Sequence, residues 1–251
     1  MSGRGEAQKV GFMVIGSQKA GTTALFDYLS DDPRLNLSRD KEVHFFDDES
    51  QDWSSPDYAV YHARFDLTRP GLMGEATPIY VFWPESMERL AAYNPDARLI
   101  LMLRDPVRRA YSGWQMEYAR GVETLPFAQA IREGRARLTG KPSNHPDRRE
   151  LSHVERGYYG AQVQRVLNLF PPSQLLVQRA EDLRADPSAV VGQVCRFLGL
   201  APPPGPVAHR IVHAAAAFDY GHGLSADDEA YLRDLYAEDQ ASLKILTGVT
   251  F

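Results

Sequence analysis

The chain has 251 residues, 43% of them hydrophobic and 24% charged, an ordinary globular composition long enough to bury one large core. Its formal charge of -5 lacks the basic excess that a nucleic acid or an anionic membrane calls for, so an anionic ligand needs a locally basic pocket. The single cysteine, Cys195, excludes an intramolecular disulfide and a multi-thiolate metal centre, and no run of 18 apolar residues offers a membrane span.

Met1 to Lys9 is polar and lacks an apolar core, which predicts a flexible terminus and not a signal peptide. Val10 to Ile15 reads as a buried strand, Gly16 opens a loop, and Thr23 to Ser30 reads as a helix with Leu25, Phe26 and Leu29 on one face. Asp31 to Ser55 is predicted as a long loop holding Lys41-Glu42-Val43-His44-Phe45-Phe46, a length usually kept for function. Leu72 to Thr77 reads as a short strand and Glu85 to Tyr93 as a helix after Pro84. Arg98 to Leu103 is the clearest strand, a continuous apolar run suited to the centre of a parallel sheet. Asp105 and Pro106 then suit the cap and first turn of a helix reaching about Ala119.

Thr139 to Glu150, rich in Pro, Lys, Arg and polar residues, is predicted as a mobile loop within one domain spanning 1–251. Val154 to Phe170 is amphipathic, Leu175 to Gln178 reads as a strand, and Pro187 to Leu198 as a helix stopped at Gly199. Cys195 lies inside that helix as a small apolar residue. Four prolines between Ala201 and Pro206 predict an irregular connection, and a last helix starts at Ser225. Strands alternating with helices imply a three-layer α/β fold: a central parallel sheet flanked by helices.

Gly16-x-x-x-x-Gly21-Thr22-Thr23 is similar to a phosphate-binding P-loop, with a strand before it and a helix after it. A nucleotide triphosphatase carries Lys directly after the second Gly. Here that position is Thr22, and the lysine lies inside the loop as Lys19. The strand ending at Leu103 is followed by Arg104 before Asp105, a poor magnesium site. An anion loop without a triphosphate fits better. Arg104 lies at the carboxyl end of the predicted central strand, and Ser112 follows eight residues later on the same helix direction. Together they suit one phosphate, the guanidinium as a charged fork and the hydroxyl as a donor.

The pairing of Gly-Ser-Gln-Lys-Ala-Gly-Thr-Thr at 16–23 with Leu-Arg-Asp-Pro-Val-Arg-Arg-Ala-Tyr-Ser at 103–112 resembles the PAPS-dependent sulfotransferases. The Lys41–Phe46 segment, Gly74-Glu75-Ala76-Thr77-Pro78-x-Tyr80 and Arg156-Gly157-Tyr158-Tyr159 follow in family order. They resemble the heparan sulfate (glycosaminoglycan) branch most, in a bacterial-style cytoplasmic form.

The resemblance implies that Lys19, Ala20, Gly21, Thr22 and Thr23 hold the 5′-phosphosulfate of PAPS. Arg104 and Ser112 hold its 3′-phosphate, and Tyr158 or Tyr159 lines the nucleotide. It implies Lys19 as the cation on the leaving phosphate and Glu75 as the general base. Lys41 is a further candidate on the transferring group, and His44 an alternative base. No metal is required, and the histidines show no convincing ligand spacing; His209 and His213 are i, i+4 without a third partner. Glycosaminoglycan relatives carry a Lys/Arg/Gly-rich loop before the last helix. Residues 213–223 here contain no lysine or arginine, which leaves Arg210 as a substitute.

The acceptor expected is a small natural product or carbohydrate hydroxyl, less readily an amine, with Trp53, Trp83, Trp114, Phe45 and Phe46 available as apolar walls or as core. The basic run Arg132, Arg135, Arg137, Lys141, Arg148 and Arg149 is the one feature that suits a polyanion. A P-loop kinase or other NTPase, and a PAP-binding module without turnover, are the competing readings.

Overall fold

The computed structural model describes residues 9–210, 220 and 223–251. The polar start of the chain up to residue 8, most of the 213–223 stretch, and His213 and His222 therefore lie outside the described residues.

The elements run β1 (Phe12–Gly16), α1 (Thr22–Ser30), β2 (Leu35–Leu37), α2 (Tyr58–His62), β3 (Leu72–Ala76), α3 (Ser86–Tyr93), β4 (Arg98–Leu103) and α4 (Pro106–Ala119). They continue with α5 (Phe127–Ala130), α6 (Asp147–Leu151), α7 (Tyr159–Leu167), β5 (Leu175–Arg179), α8 (Ala180–Ala185), α9 (Pro187–Phe197) and α10 (Ala226–Thr247). The five strands form one sheet in the order β2-β3-β1-β4-β5, and every neighbouring pair is parallel. All carboxyl ends therefore open on one edge.

Alternation in β1 and β4 divides the core in two. Met13, Ile15, Leu99, Leu101 and Leu103 pack with Met87 and Leu90 of α3 and Val163 and Val166 of α7. Phe12, Val14, Ile100 and Met102 pack on the other face with Leu25 and Leu29 of α1 and Val190, Val191 and Val194 of α9. Such a strand is apolar at every position because both its faces are covered. Truncating one of these leucines to Ala is expected to cost roughly 2–5 kcal/mol. A third cluster joins α4, α5 and α10 through Trp114, Phe127, Leu232 and Tyr236.

Local signals explain several boundaries. Asp105 caps α4 by accepting from Arg108 N–H at 3.0 Å, with Pro106 in the first turn. Asp186 caps α9 and Ser225 caps α10 in the same way. Gly199, at φ 76°, ends α9 as expected, and Cys195 is buried within it. No described helix is long and apolar enough to cross a membrane.

Two stretches differ from the sequence reading. The loop predicted over 31–55 contains β2, whose three residues pair only with β3. The segment predicted as a loop over 139–150 contains most of α6, with Lys141 paired to Asp147 and the Arg148 guanidinium bonded to the carbonyls of Leu138 and Pro142.

Candidate active site

The chain passes from β1 outwards to β2 and β3 and then crosses to β4 on the opposite side of β1. Ligands of open α/β sheets bind outside the carboxyl ends at such a reversal. The loop after β1 and Arg104 after β4 flank that crevice.

The loop 17–21 is closed by backbone bonds, Ser17 N–H to Met102 O at 2.6 Å and Ala20 N–H to Ser17 O at 3.1 Å. Gly21 takes φ 80°, a left-handed conformation that glycine adopts without steric cost, and it precedes α1 without any side-chain cap. The N–H groups and dipole of the first turn are thus directed at the crevice, a ready anion site. Thr22 is buried and Thr23 half-buried at that turn.

Lys19 leaves this loop, with its Nζ 3.8 Å from Met116 Sδ, while Arg104 Nη1 donates to Lys19 O at 3.3 Å. Burial, and then the Arg104 charge, pull the Lys19 ammonium below its usual range. Burial and then Arg184 lower Arg104 in turn. Cations crowded in this way favour an anion between them.

A cavity of about 340 Å³ opens here, and its lining includes Lys19, Arg104, Arg184 and Arg210 together with the apolar Tyr28 and Leu183. Arg210, the candidate substitute for a basic loop, reaches this lining, but its guanidinium is paired with Asp27 at 2.8 Å and with Asp31. The exposed Arg184 was not legible as a site residue from the sequence.

Of the two tyrosines, Tyr159 is buried behind Arg104 and, like Ser112, is not part of the cavity lining. Its hydroxyl donates to Arg104 O at 2.9 Å, and it also bonds the Ser17 side chain; burial pushes the phenol up to about 12. Tyr158 packs edge-on against Tyr236 of α10, with centroids 5.2 Å apart. Ser112 is half-buried on α4, and the cavity lining does not include it.

Beside this donor-side crevice lies a second constellation on the loop 41–47. Thr77, directly after β3, accepts from the N–H groups of Val43 at 3.1 Å and His44 at 3.4 Å. The Tyr80 hydroxyl accepts from Phe45 N–H at 3.1 Å and Phe46 N–H at 3.4 Å. Beneath them is Glu75, fully buried at 0% exposure. Its oxygens accept from the hydroxyls of Thr77 at 2.6 Å, Tyr61 at 2.7 Å and Tyr80 at 3.1 Å. Burial raises its carboxyl to about 7 against the pull of those three donors. Glu75 thus anchors the two hydroxyls that shape the loop.

The more accessible carboxylate of the loop is Glu42, half-buried with its side chain 31% exposed, which the sequence reading did not name as a site residue. Its Oε1 lies 3.4 Å from Lys41 Nζ and its Oε2 lies 3.2 Å from His44 Nε2. His44 Nδ1 lies 2.9 Å from Oδ2 of Asp47, whose side chain is 1% exposed. Asp47 first and Glu42 second raise the imidazole to about 9, so it is protonated at neutral pH and donates to both. Both ring nitrogens of His44, the alternative base of the sequence reading, are thus engaged by carboxylates, Nδ1 by Asp47 and Nε2 by Glu42. Burial opposes the ionisation of Glu42, but His44 and Lys41 outweigh it, and the carboxyl lies below its usual range.

Buried cations join the two constellations. Arg156, lowered to about 9 by burial and then by Arg109, feels the charges of Glu117 and Glu42, and Glu117 also acts on Lys19. The signal for Glu42 was its place between Lys41 and His44, the two residues that were named. Among the described residues no cluster of three or more His, Cys, Asp or Glu is arranged to hold a metal.

Comparison with known proteins supplies the family context. The sulfotransferase domain family model matches residues 10–220. The mouse (Mus musculus) bifunctional heparan sulfate N-deacetylase/N-sulfotransferase 4 is 33% identical over 198 residues, covering 76% of this chain and 22% of that protein. The human (Homo sapiens) heparan sulfate glucosamine 3-O-sulfotransferase 6 is 32% identical over 200 residues, covering 79% of this chain and 55% of that protein. The chain thus spans about a fifth to a half of the length of these curated relatives. Among solved structures, a sulfotransferase from Alicyclobacillus acidocaldarius superposes with a TM-score of 0.78 at 29% identity over 98% of both chains.

Proposed function

Because the chain belongs to the sulfotransferase domain family, we propose that it transfers the sulfuryl group of PAPS to a hydroxyl of a small natural product or carbohydrate. The observation that carries this reading is the pairing of Lys19 and the uncapped N-terminus of α1 with Arg104 across one cavity. PAPS presents two separate anionic groups, a 5′-phosphosulfate and a 3′-phosphate. Lys19 to Thr23 bind the first and Arg104, with Ser112, the second, while Tyr159 fixes the Arg104 backbone.

In the reaction the acceptor oxygen attacks sulfur in line. A new O–S bond forms, the S–O bond to the 5′-phosphate breaks, and PAP leaves with the bonding pair. The Lys19 ammonium neutralises the bridging oxygen as charge develops on it. The acceptor's proton passes to Glu42, the accessible carboxylate of the loop, which the imidazolium of His44 orients and Lys41 flanks. Glu75, the base suggested by the sequence resemblance, takes a positioning role, because its buried oxygens already accept three hydroxyls. The mechanism calls for no metal ion.

The acceptor class rests on the basic run at 132–149. Arg132 pairs with Asp228 at 2.5 Å, Arg135 with Glu155 at 2.9 Å and Arg137 with Glu123 at 2.6 Å. Lys141 pairs with Asp147 and Arg149 with Asp47. Charges neutralised within the chain leave little attraction for a polyanion, which favours a small or uncharged acceptor. The single buried cysteine suits a cytoplasmic setting.

The test is incubation with sulfur-labelled PAPS and a panel of neutral phenols, alcohols and oligosaccharides, with heparan sulfate beside them. Label on a neutral acceptor in preference to heparan sulfate is the expected outcome. Label on heparan sulfate alone would overturn the acceptor class, and tight ATP–magnesium binding without PAP binding would overturn the donor.

A further inference from the structure

Resting on the sulfuryl-transfer reading of this site, we infer that Arg149 is a positioning residue: its two-pronged hold on Asp47 fixes the His44 imidazole and, through it, the Glu42 carboxylate that receives the acceptor's proton.

Arg149 lies on α6, 102 residues along the chain from Asp47. Its Nη1 donates to Asp47 Oδ2 and its Nη2 to Asp47 O, so side chain and backbone are gripped by one planar group. The same Oδ2 lies 2.9 Å from His44 Nδ1, and His44 Nε2 lies 3.2 Å from Glu42 Oε2. An unbroken chain of charged hydrogen-bond partners therefore runs from α6 to Glu42.

The fork is supported from below. The guanidinium of Arg149 stacks 4.0 Å above the Trp83 ring, and Trp83 Nε1 in turn donates to Glu49 Oε1 at 2.7 Å. A planar group with several donors can stack and bond in two directions at once, whereas an ammonium cannot. Asp47 needs this support because its Oδ1 is buried without a hydrogen-bond partner. Nothing on that oxygen resists rotation, so the alignment of Oδ2 with His44 depends on the partners of Oδ2.

The consequence is a link between the segment that carries α6 and the proton-handling loop. Arg156 strengthens it: its Nη2 donates to the Arg149 carbonyl at 2.7 Å, and its charge acts on Glu42. The charged and titratable groups around the His44–Asp47 pair are Lys41 and Glu42 on the loop, Glu75 on β3, Tyr80 after it, Arg149 on α6 and Arg156 before α7.

The test compares Arg149→Met, which keeps the stem over Trp83, with Arg149→Lys, which keeps the charge but loses the fork. The first readout is the titration of His44 followed by NMR. A cation that is merely nearby predicts that its removal raises the His44 midpoint. Loss of Asp47 alignment predicts the opposite, a fall from about 9 by roughly one unit or more towards the ordinary value. The second readout is conversion of PAPS to PAP, expected to slow on the order of 10- to 100-fold in kcat with the KM for PAPS unchanged. Arg149→Lys is expected to resemble Arg149→Met in both readouts. A His44 midpoint that stays or rises in both variants, with thermal stability intact, overturns the inference. PAP affinity of the unaltered protein is measured alongside. If PAP does not bind, the donor reading fails while the His44 titration still decides the coupling.

Discussion

The loop at 17–23 and the loop at 41–47 lie side by side at the carboxyl edge of the sheet, and they hold their shape by different means. The first is built largely from its own backbone: Ser17 and Ala20 close the turn, Gly21 supplies the left-handed residue and α1 supplies the dipole. The second owes its form to side chains from far along the chain, with Thr77 and Tyr80 under its amides, Glu75 under both and Arg149 across its end. A site built on backbone presents fixed donors to an anion, whatever happens elsewhere. A site built on distant side chains ties proton transfer to the packing of the whole edge. The fixed loop suits donor binding and the dependent loop suits the acceptor's chemistry.

Mutations that break one loop and spare the other sharpen this contrast. The largest effect is expected from Glu42→Gln, which should leave PAP affinity unchanged in calorimetry and lower PAPS turnover by roughly 10²- to 10⁴-fold. Next is Lys19→Ala, which should reduce kcat on the order of 10²- to 10³-fold and also weaken PAP, because one residue serves both binding and leaving-group charge. Glu75→Gln should act mainly on stability. An amide cannot accept the Thr77 hydroxyl at its nitrogen, and the buried mismatch is expected to cost about 1–3 kcal/mol in denaturant unfolding. A Glu75→Gln protein of normal stability that has lost all turnover would return the base to Glu75. Arg104→Ala should weaken PAP by about 1.5–3 kcal/mol, the value of a hydrogen bond to a charged group, with a smaller effect on kcat.

The smallest expected effect is a pH dependence that belongs to the second loop. His44 is raised from 6.5 to about 9, so its contribution to stability is fully present below about 6.5 and is lost as pH rises through about 9. Glu75, raised from 4.5 to about 7, follows the same sign: its contribution is present below about 4.5 and is lost as pH rises through about 7. Thermal unfolding of His44→Asn should accordingly lose the decline between pH 6.5 and 9 and keep the one between 4.5 and 7.

The same contrast explains what was legible in the sequence. The β1–loop–α1 unit could be read because its determinants are neighbours in the chain: the Val10–Ile15 run, Gly16, Gly21 and the spacing of Leu25 and Leu29. β4 and the α4 cap were legible for the same reason, in the Leu99–Leu103 run and in Asp105-Pro106. β2 was not, because Leu35-Asn36-Leu37 is a strand only through its pairing with β3. The burial of Glu75 was hidden as well, because it depends on Tyr61 and Tyr80 arriving over its carboxylate from elsewhere. Tyr158 and Tyr159 are adjacent, and only the turn into α7 sends the second towards Arg104. Partners of the basic run, such as Asp228 for Arg132, were equally hidden by distance.

Titration calorimetry of PAP against ATP–magnesium, on the unaltered protein and on Arg104→Ala, tests the central claim most directly, namely that the crevice between the loop after β1 and Arg104 is a PAPS site. PAP should bind the unaltered protein without magnesium, lose roughly 10- to 100-fold in affinity in Arg104→Ala, and outcompete ATP. Tight magnesium-dependent ATP binding with no heat from PAP, or PAP binding indifferent to Arg104→Ala, would contradict it.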